Sequence, residues 1–99
     1  MRLIWSRSAV DDLTEIRDFI RNDNPNAARM VARRILESAN RLKDFPDIGR
    51  KGTVAGTRER VVAGLPHILV YRPHSEAVEI LRVLHGARNH DPQQEGPQR

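Results

Sequence analysis

Residues 57–85 constrain the fold more than any other part of this chain. Three strand-like segments, at about 57–63, 67–72 and 77–85, are rich in β-branched and aliphatic side chains. They are joined by Gly64-Leu65-Pro66 and by Pro73-His74-Ser75-Glu76, both of turn composition. Strands this close in sequence pair antiparallel, because a parallel pairing needs a long crossover connection. An antiparallel meander is therefore predicted, and the rest of the chain has to pack against it.

Upstream, Met1 to Trp5 reads as a short strand. Ser6 and Ser8 then offer helix caps, and Ser8 with Asp11 has capping-box spacing with Asp in place of Glu. Ala9, Leu13, Ile16 and Ile20 recur at helical spacing, with Asp11, Asp12, Glu15 and Asp18 mostly on the other side, so an amphipathic helix is predicted from about residue 8 to 22. Asn24-Pro25 starts a second helix, a cap followed by proline at the first helical position. Ala28, Val31, Ile35, Ala39 and Leu42 form its apolar stripe, while Arg29, Arg33, Arg34 and Arg41 lie at other azimuths. Phe45-Pro46 ends it, since the residue before proline is pushed out of helical geometry. The short link at 22–24 makes the two helices an antiparallel hairpin.

Residues 46–56 read as a glycine-rich loop with two adjacent cations, Arg50 and Lys51. The predicted order is β-α-α-β-β-β: an α+β fold with the helical hairpin packed on one face of a mainly antiparallel sheet. The other face is left to solvent or a partner. The domain is expected to span 1–88, with 89–99, which carries Pro92 and Pro97, as a polar C-terminal tail.

Composition narrows the function classes. Ninety-nine residues give room for one modest core. The absence of cysteine removes disulfides, thiolate nucleophiles and sulfur-ligated zinc together. No apolar run is long enough to span a membrane, and the N-terminal residues lack the apolar region of a signal peptide, so a cytoplasmic location is expected. The net charge is +4, with arginine supplying nearly all of the positive side, since only Lys43 and Lys51 are lysines. Arginine binds phosphates and carboxylates bidentately, so the bias suits either a nucleic acid or an acidic protein, as well as plain codon usage.

The candidate chemistry is mostly arginine chemistry. Arg82 interrupts the apolar run Ile80-Leu81-Arg82-Val83-Leu84, where strict alternation puts it on one face with Ile80 and Leu84. It makes either a structural ion pair, to Glu59 or Glu79, or a contact from the open face to a phosphate or a partner's carboxylate. Arg58 and Arg60 share a face of their strand and, if that face is open, form a positive stripe with Arg50 and Lys51. His67, His74, His85 and His90 have no metal-site spacing, so no metal or cofactor is expected. His85, near a strand end, is either a general acid or base or a half-exposed edge residue. The glycines at 49, 52 and 56 fit no phosphate-binding fingerprint and read as turn residues. Tyr71 reads as a core residue with its hydroxyl at the rim.

Phe45-Pro46 with Gly49-Arg50, Gly56-Thr57-Arg58-Glu59, Leu69-Val70-Tyr71-Arg72 and Ile80-Leu81-Arg82-Val83-Leu84-His85-Gly86 together resemble, in order and spacing, the RelE/ParE superfamily of toxins from type II toxin–antitoxin systems. The resemblance runs from the first strand to about Arg88 and implies the same fold. It implies one of two activities. RelE-like members cut messenger RNA on the ribosome without metal, whereas ParE-like members inhibit DNA gyrase. RelE-like members typically carry an arginine just before Leu-Val-Tyr, where this chain has Ile68, and lysines on the preceding strand, where it has Glu59 and Val61. These differences point to the ParE-like branch.

The resemblance thus implies growth inhibition through gyrase and neutralisation by a ParD-like antitoxin. The candidate target- or antitoxin-binding residues are Arg50, Lys51, Arg58, Arg60, Arg82 and Arg88. The alternative is a ribosome-dependent endoribonuclease using Arg58, Arg60, Arg82, His85 and Arg88; a third reading is a non-toxic relative kept for antitoxin binding or transcriptional control. The exposed side of the second helix and the Arg58–Arg60 strand are expected to form part of the antitoxin interface.

Overall fold

The computed structural model describes residues 1–86, so Arg88, His90 and the segment 89–99 lie outside the described residues. The chain runs β1 (Arg2–Trp5), α1 (Arg7–Arg21), α2 (Pro25–Asp44), β2 (Arg50–Lys51), β3 (Arg58–Val61), β4 (His67–Pro73) and β5 (Ala77–His85). Five strands form one sheet in the order β1-β5-β4-β3-β2. The predicted meander is present as β3-β4-β5, antiparallel throughout. β1 pairs parallel to β5, from Arg2 opposite Ala77 to Trp5 opposite Ile80. The two intervening helices supply the crossover that a parallel pair requires.

Capping decides where the helices begin. Ser6, not Ser8, caps α1: its Oγ accepts from the Ala9 N–H at 3.0 Å and donates to the Leu81 carbonyl at 2.9 Å. The second bond favours Ser6, since it also ties the cap to β5. Asn24 caps α2 through a bond from the Ala27 N–H, with Pro25 at the first helical position.

The helical hairpin covers one face of the sheet. Ile16, Val31, Ile35 and Leu42 pack against Val62, Leu69, Tyr71, Val78, Ile80 and Val83, all buried. Ile80 and Val83 are three residues apart, which strict alternation cannot put on one face. A β-bulge resolves this: Tyr71 faces Ile80 while Val70 faces Arg82, so Leu81 is an extra residue and the parity of β5 reverses after it. The alternation that put Ile80, Arg82 and Leu84 on one face therefore fails at the bulge.

β2 was not legible as a strand; it sits inside the expected glycine-rich loop. Its two residues pair with Glu59 and Arg58. Gly49, the preceding residue, explains the approach. A Cβ there would lie 2.7 Å from both the Glu59 carbonyl oxygen and the Tyr71 hydroxyl oxygen. Both neighbours are fixed, one by the backbone and one by hydrogen bonds. Gly49→Ala is expected to lower stability by about 1–3 kcal/mol, the cost of overpacking a tight site. A denaturant midpoint shifted down at unchanged slope would show it.

Candidate interaction surface

Register places the arginines differently from the expected open-face stripe. Arg58 stands opposite Tyr71 and Arg60 opposite Leu69, both core-facing partners, so Arg58 and Arg60 are on the helix side of the sheet. Glu59 and Val61, opposite Val70 and Ile68, are on the open side. Arg50 joins Glu59 there, with an ion pair at 3.1 Å. The single stripe of four cations is thus divided between two faces.

Arg58 acts as a fastener for the loop before β2. Its Nη1 donates to the Gly49 carbonyl at 2.7 Å and to the Asp47 carbonyl at 3.4 Å. Its Nε lies 3.7 Å from the Asp47 carboxylate. Tyr71 fastens the same loop from below: its hydroxyl donates to the Pro46 carbonyl at 2.8 Å and accepts from the Gly49 N–H at 2.9 Å. Tyr71 is fully buried, not at the rim, and burial raises its pKa above the ordinary value near 10. Pinning residues 46–49 this way holds Ile48 beside the edge of β3.

Arg82 pairs with neither Glu59 nor Glu79. Its Nε and Nη2 donate to the two carboxylate oxygens of Asp12 on α1, at 2.7 and 3.0 Å. Asp12 also accepts the Val83 N–H at 2.9 Å. The geometry has a backbone cause. β1 pairs with β5 only as far as Ile80, leaving the next stretch of β5 edge without a strand neighbour. Ser6 takes the Leu81 carbonyl and Asp12 the Val83 N–H, so two side chains replace the missing strand. The hydrogen bond to Asp12 is also the main reason the Arg82 pKa is raised.

His85 sits at the far end of β5, edge-on to His67 with ring centroids 5.2 Å apart. Ile16, Ile20, Leu65 and Pro66 line the same apolar hollow. Glu79, the other candidate partner of Arg82, bonds His74 at 3.1 Å.

The feature that gathers exposed cations is a groove between α2 and β3. Leu42, Val62 and Ile48 contribute apolar surface; Arg34 and Arg41 from α2 and Arg60 from β3 flank it, with Glu37 the one acid lining it. Arg34 and Arg41, seven residues apart, lie on one helical stripe. Arg34 reaches over Gly64, where a Cβ would stand 2.5 Å from its Nη1 and where φ is +77°. The charge balance along the chain agrees with this placement. α2 carries five cations against two acids and residues 50–61 four against one, whereas α1 carries three against four. The positive side of the molecule is the α2–β3 side. Sequence reading pointed to the exposed side of α2 but did not single out Arg34, Arg41 or Ile48; the seven-residue spacing was the available signal.

Comparison with known proteins bears on what such a surface serves. Residues 3–90 match the family model for the ParE toxin of type II toxin–antitoxin system, parDE. The chain belongs to the ParE toxin family. Within it, this protein is 42% identical over 84 residues to the Sinorhizobium fredii protein Y4kP, covering 85% of this chain and 86% of that one. It is 38% identical over 87 residues to Toxin RelE2 of Caulobacter vibrioides, covering 88% of this chain and 97% of that one. A chain of the chromosomal ParDE system from P. aeruginosa superposes with a TM-score of 0.78 at 27% identity, covering 86% of this chain and 95% of that one. The expected RelE/ParE membership and α+β architecture therefore hold, and the chain is a type II toxin of this family. Among the described residues of this ParE-family chain, no helix is long and apolar enough to cross a membrane, and no group of three or more His, Cys, Asp or Glu is placed to hold a metal ion.

Proposed function

We propose that this toxin acts in the cytoplasm as a ParE-like inhibitor of DNA gyrase, arresting growth until a ParD-like antitoxin covers it. The main support is the dispersal of the residues that metal-free RNA cleavage would have to bring together. Such chemistry requires a general acid or base and free cations around one phosphodiester. Arg82 is held by Asp12 at one edge, Arg58 by loop carbonyls near the opposite edge, and Arg60 flanks the α2 groove. His85 lies in an apolar hollow. Ile68, at the position where RelE-like members have arginine, stands between Leu84 and Val61 in a cross-strand apolar row. A protein surface that engages another protein fits this arrangement better than a nuclease centre.

Antitoxin binding is proposed for the face made by the exposed side of α2 and by β3, where the unbalanced positive charge favours an acidic partner and speeds its approach. Of the candidate residues, Lys51 and Arg60 keep their charge available on this side, while Arg50, Arg58 and Arg82 are engaged within the fold. Mapping RNA ends after induction of the toxin separates the two activities. No new codon-associated ends should appear, and His85→Ala should still arrest growth. Cleavage that disappears in His85→Ala would replace gyrase with the ribosome as the target.

A further inference from the structure

We propose that β1 is a self-pairing edge: two copies of the chain join antiparallel along Arg2–Trp5, on a two-fold axis through Ile4, and fuse their five-stranded sheets into one.

The first observation is that the two edges of the sheet are protected unequally. Edge strands that stay unpaired are usually short, charged, bulged or interrupted by proline. β2 fits that description, with two residues, Arg50 and Lys51, both cations. β1 has four residues, no proline, and Leu3, Ile4 and Trp5 in succession, with Arg2 its one charge. Its peptide groups are only half used. The Arg2 N–H donates to the Glu76 carbonyl and the Ser6 N–H to the Ile80 carbonyl, so Arg2, Ile4 and Ser6 direct their peptide groups to β5. Leu3 and Trp5, the alternate residues, direct theirs outward, where no strand of the described residues lies.

The second observation is that β1 complements itself. Residues that exchange both hydrogen bonds across an antiparallel pair must each face outward. With Ile4 on the axis, Leu3 of each copy stands opposite the partner's Trp5, and four bonds form without any residue from outside β1. An axis at Leu3 would need Met1, and one at Trp5 would need Arg7, which is already helical. The side chains agree with this register. Leu3 and Trp5 pack beside the core, on the helix side of the sheet. Ile4 lies on the open side and is 36% exposed. Pairing sets Leu3 against the partner's Trp5 below the sheet and Ile4 against Ile4 above it. Arg2 falls opposite the partner's Ser6, so no like charges meet across the strands. A strand of another protein could take the same bonds, but a second copy brings both halves of this match. About 13 Å of paired strand covers less than the roughly 1,200 Å² of a tight interface, so the dimer should dissociate on dilution. β1 and β3 lie toward opposite edges of the sheet, so each copy keeps the α2–β3 face.

The test uses the full chain, whose one tryptophan is Trp5 and which has no cysteine. Sedimentation equilibrium over a dilution series should show a monomer–dimer equilibrium. Trp5 emission should move to shorter wavelength as the dimer fills, and the Leu3 and Trp5 amides should exchange more slowly at high concentration. Ile4→Lys places two ammonium groups on the axis and should raise the dissociation constant by about tenfold or more, with thermal unfolding of the dilute protein unchanged. Ile4→Cys should cross-link on mild oxidation, because Cα atoms of such a pair stand about 4.5 Å apart, within disulfide reach. Val54→Cys, at a side chain 61% exposed in the β2–β3 loop, should not. A monomer at every concentration overturns the proposal. So does a dimer that is indifferent to Ile4→Lys, leaves the Leu3 and Trp5 amides unprotected, or cross-links as fast through residue 54. Neutralisation of Ile4→Lys by an antitoxin should match that of the native toxin, so the dimer and the toxin–antitoxin reading fail separately.

Discussion

Tyr71→Phe is expected to lower stability by about 2 kcal/mol, although it removes one oxygen atom and changes no apolar contact. The hydroxyl is the partner of both the Gly49 N–H and the Pro46 carbonyl. Losing it leaves a buried donor and a loop carbonyl without their bonds, and that desolvation, more than the lost attraction, sets the cost. In a domain of this size about 2 kcal/mol corresponds to a fall in Tm on the order of 10 °C. Arg58 still grips Gly49, so the loop should loosen without detaching. Ile48 moves with it, so binding at the α2–β3 groove should weaken as well.

The pH dependence follows from the same side chain. Burial raises the Tyr71 pKa above its ordinary value near 10, so the unfolded chain ionises first. The stability linked to the neutral phenol is complete below about pH 10 and is lost as pH rises through the folded value. An alkaline titration of the unfolding midpoint should therefore fall more steeply for the native protein than for Tyr71→Phe. Parallel curves would show that Tyr71 is not the group responsible.

Asp12→Ala should have an effect of comparable size at the other edge of the sheet. One carboxylate accepts the Val83 N–H and two guanidinium bonds from Arg82, and it is largely buried while Arg82 is half exposed. Alanine leaves the Val83 N–H unsatisfied, and a cost of about 2–3 kcal/mol is expected. Asp12→Asn keeps one acceptor oxygen and should cost less. Arg82→Met should cost least, because the exposed guanidinium returns to water and Asp12 keeps Val83. Chemical denaturation of the three variants checks this order. A larger loss for Arg82→Met than for Asp12→Ala would make the ion pair, not the backbone bond, the main term.

These two sites mark where sequence reading stopped. The helices, the meander and the layer order were legible because each rests on local signals: apolar periodicity, caps, proline and short turns. The parallel pairing of β1, the two-residue β2 and the bulge at Leu81 were not, because each is decided by contacts between distant residues. The bulge carries the most consequence. It turns Val83 into the core and Arg82 out of it; because β1 pairs only as far as Ile80, Arg82 then reaches Asp12 on α1, seventy residues away, at the uncovered edge of β5. Period-two alternation places Arg58 and Arg60 on one face, but which face is open depends on the register against Tyr71 and Leu69. The arginines of α2 were visible in the sequence; their convergence with Arg60 was not.

Gyrase supercoiling in the presence of the purified toxin, with and without its antitoxin, is the most direct measurement. Dose-dependent loss of supercoiling with trapped DNA cleavage, reversed when the antitoxin is added, is the predicted result. Unimpaired supercoiling by a preparation that still arrests growth would contradict it.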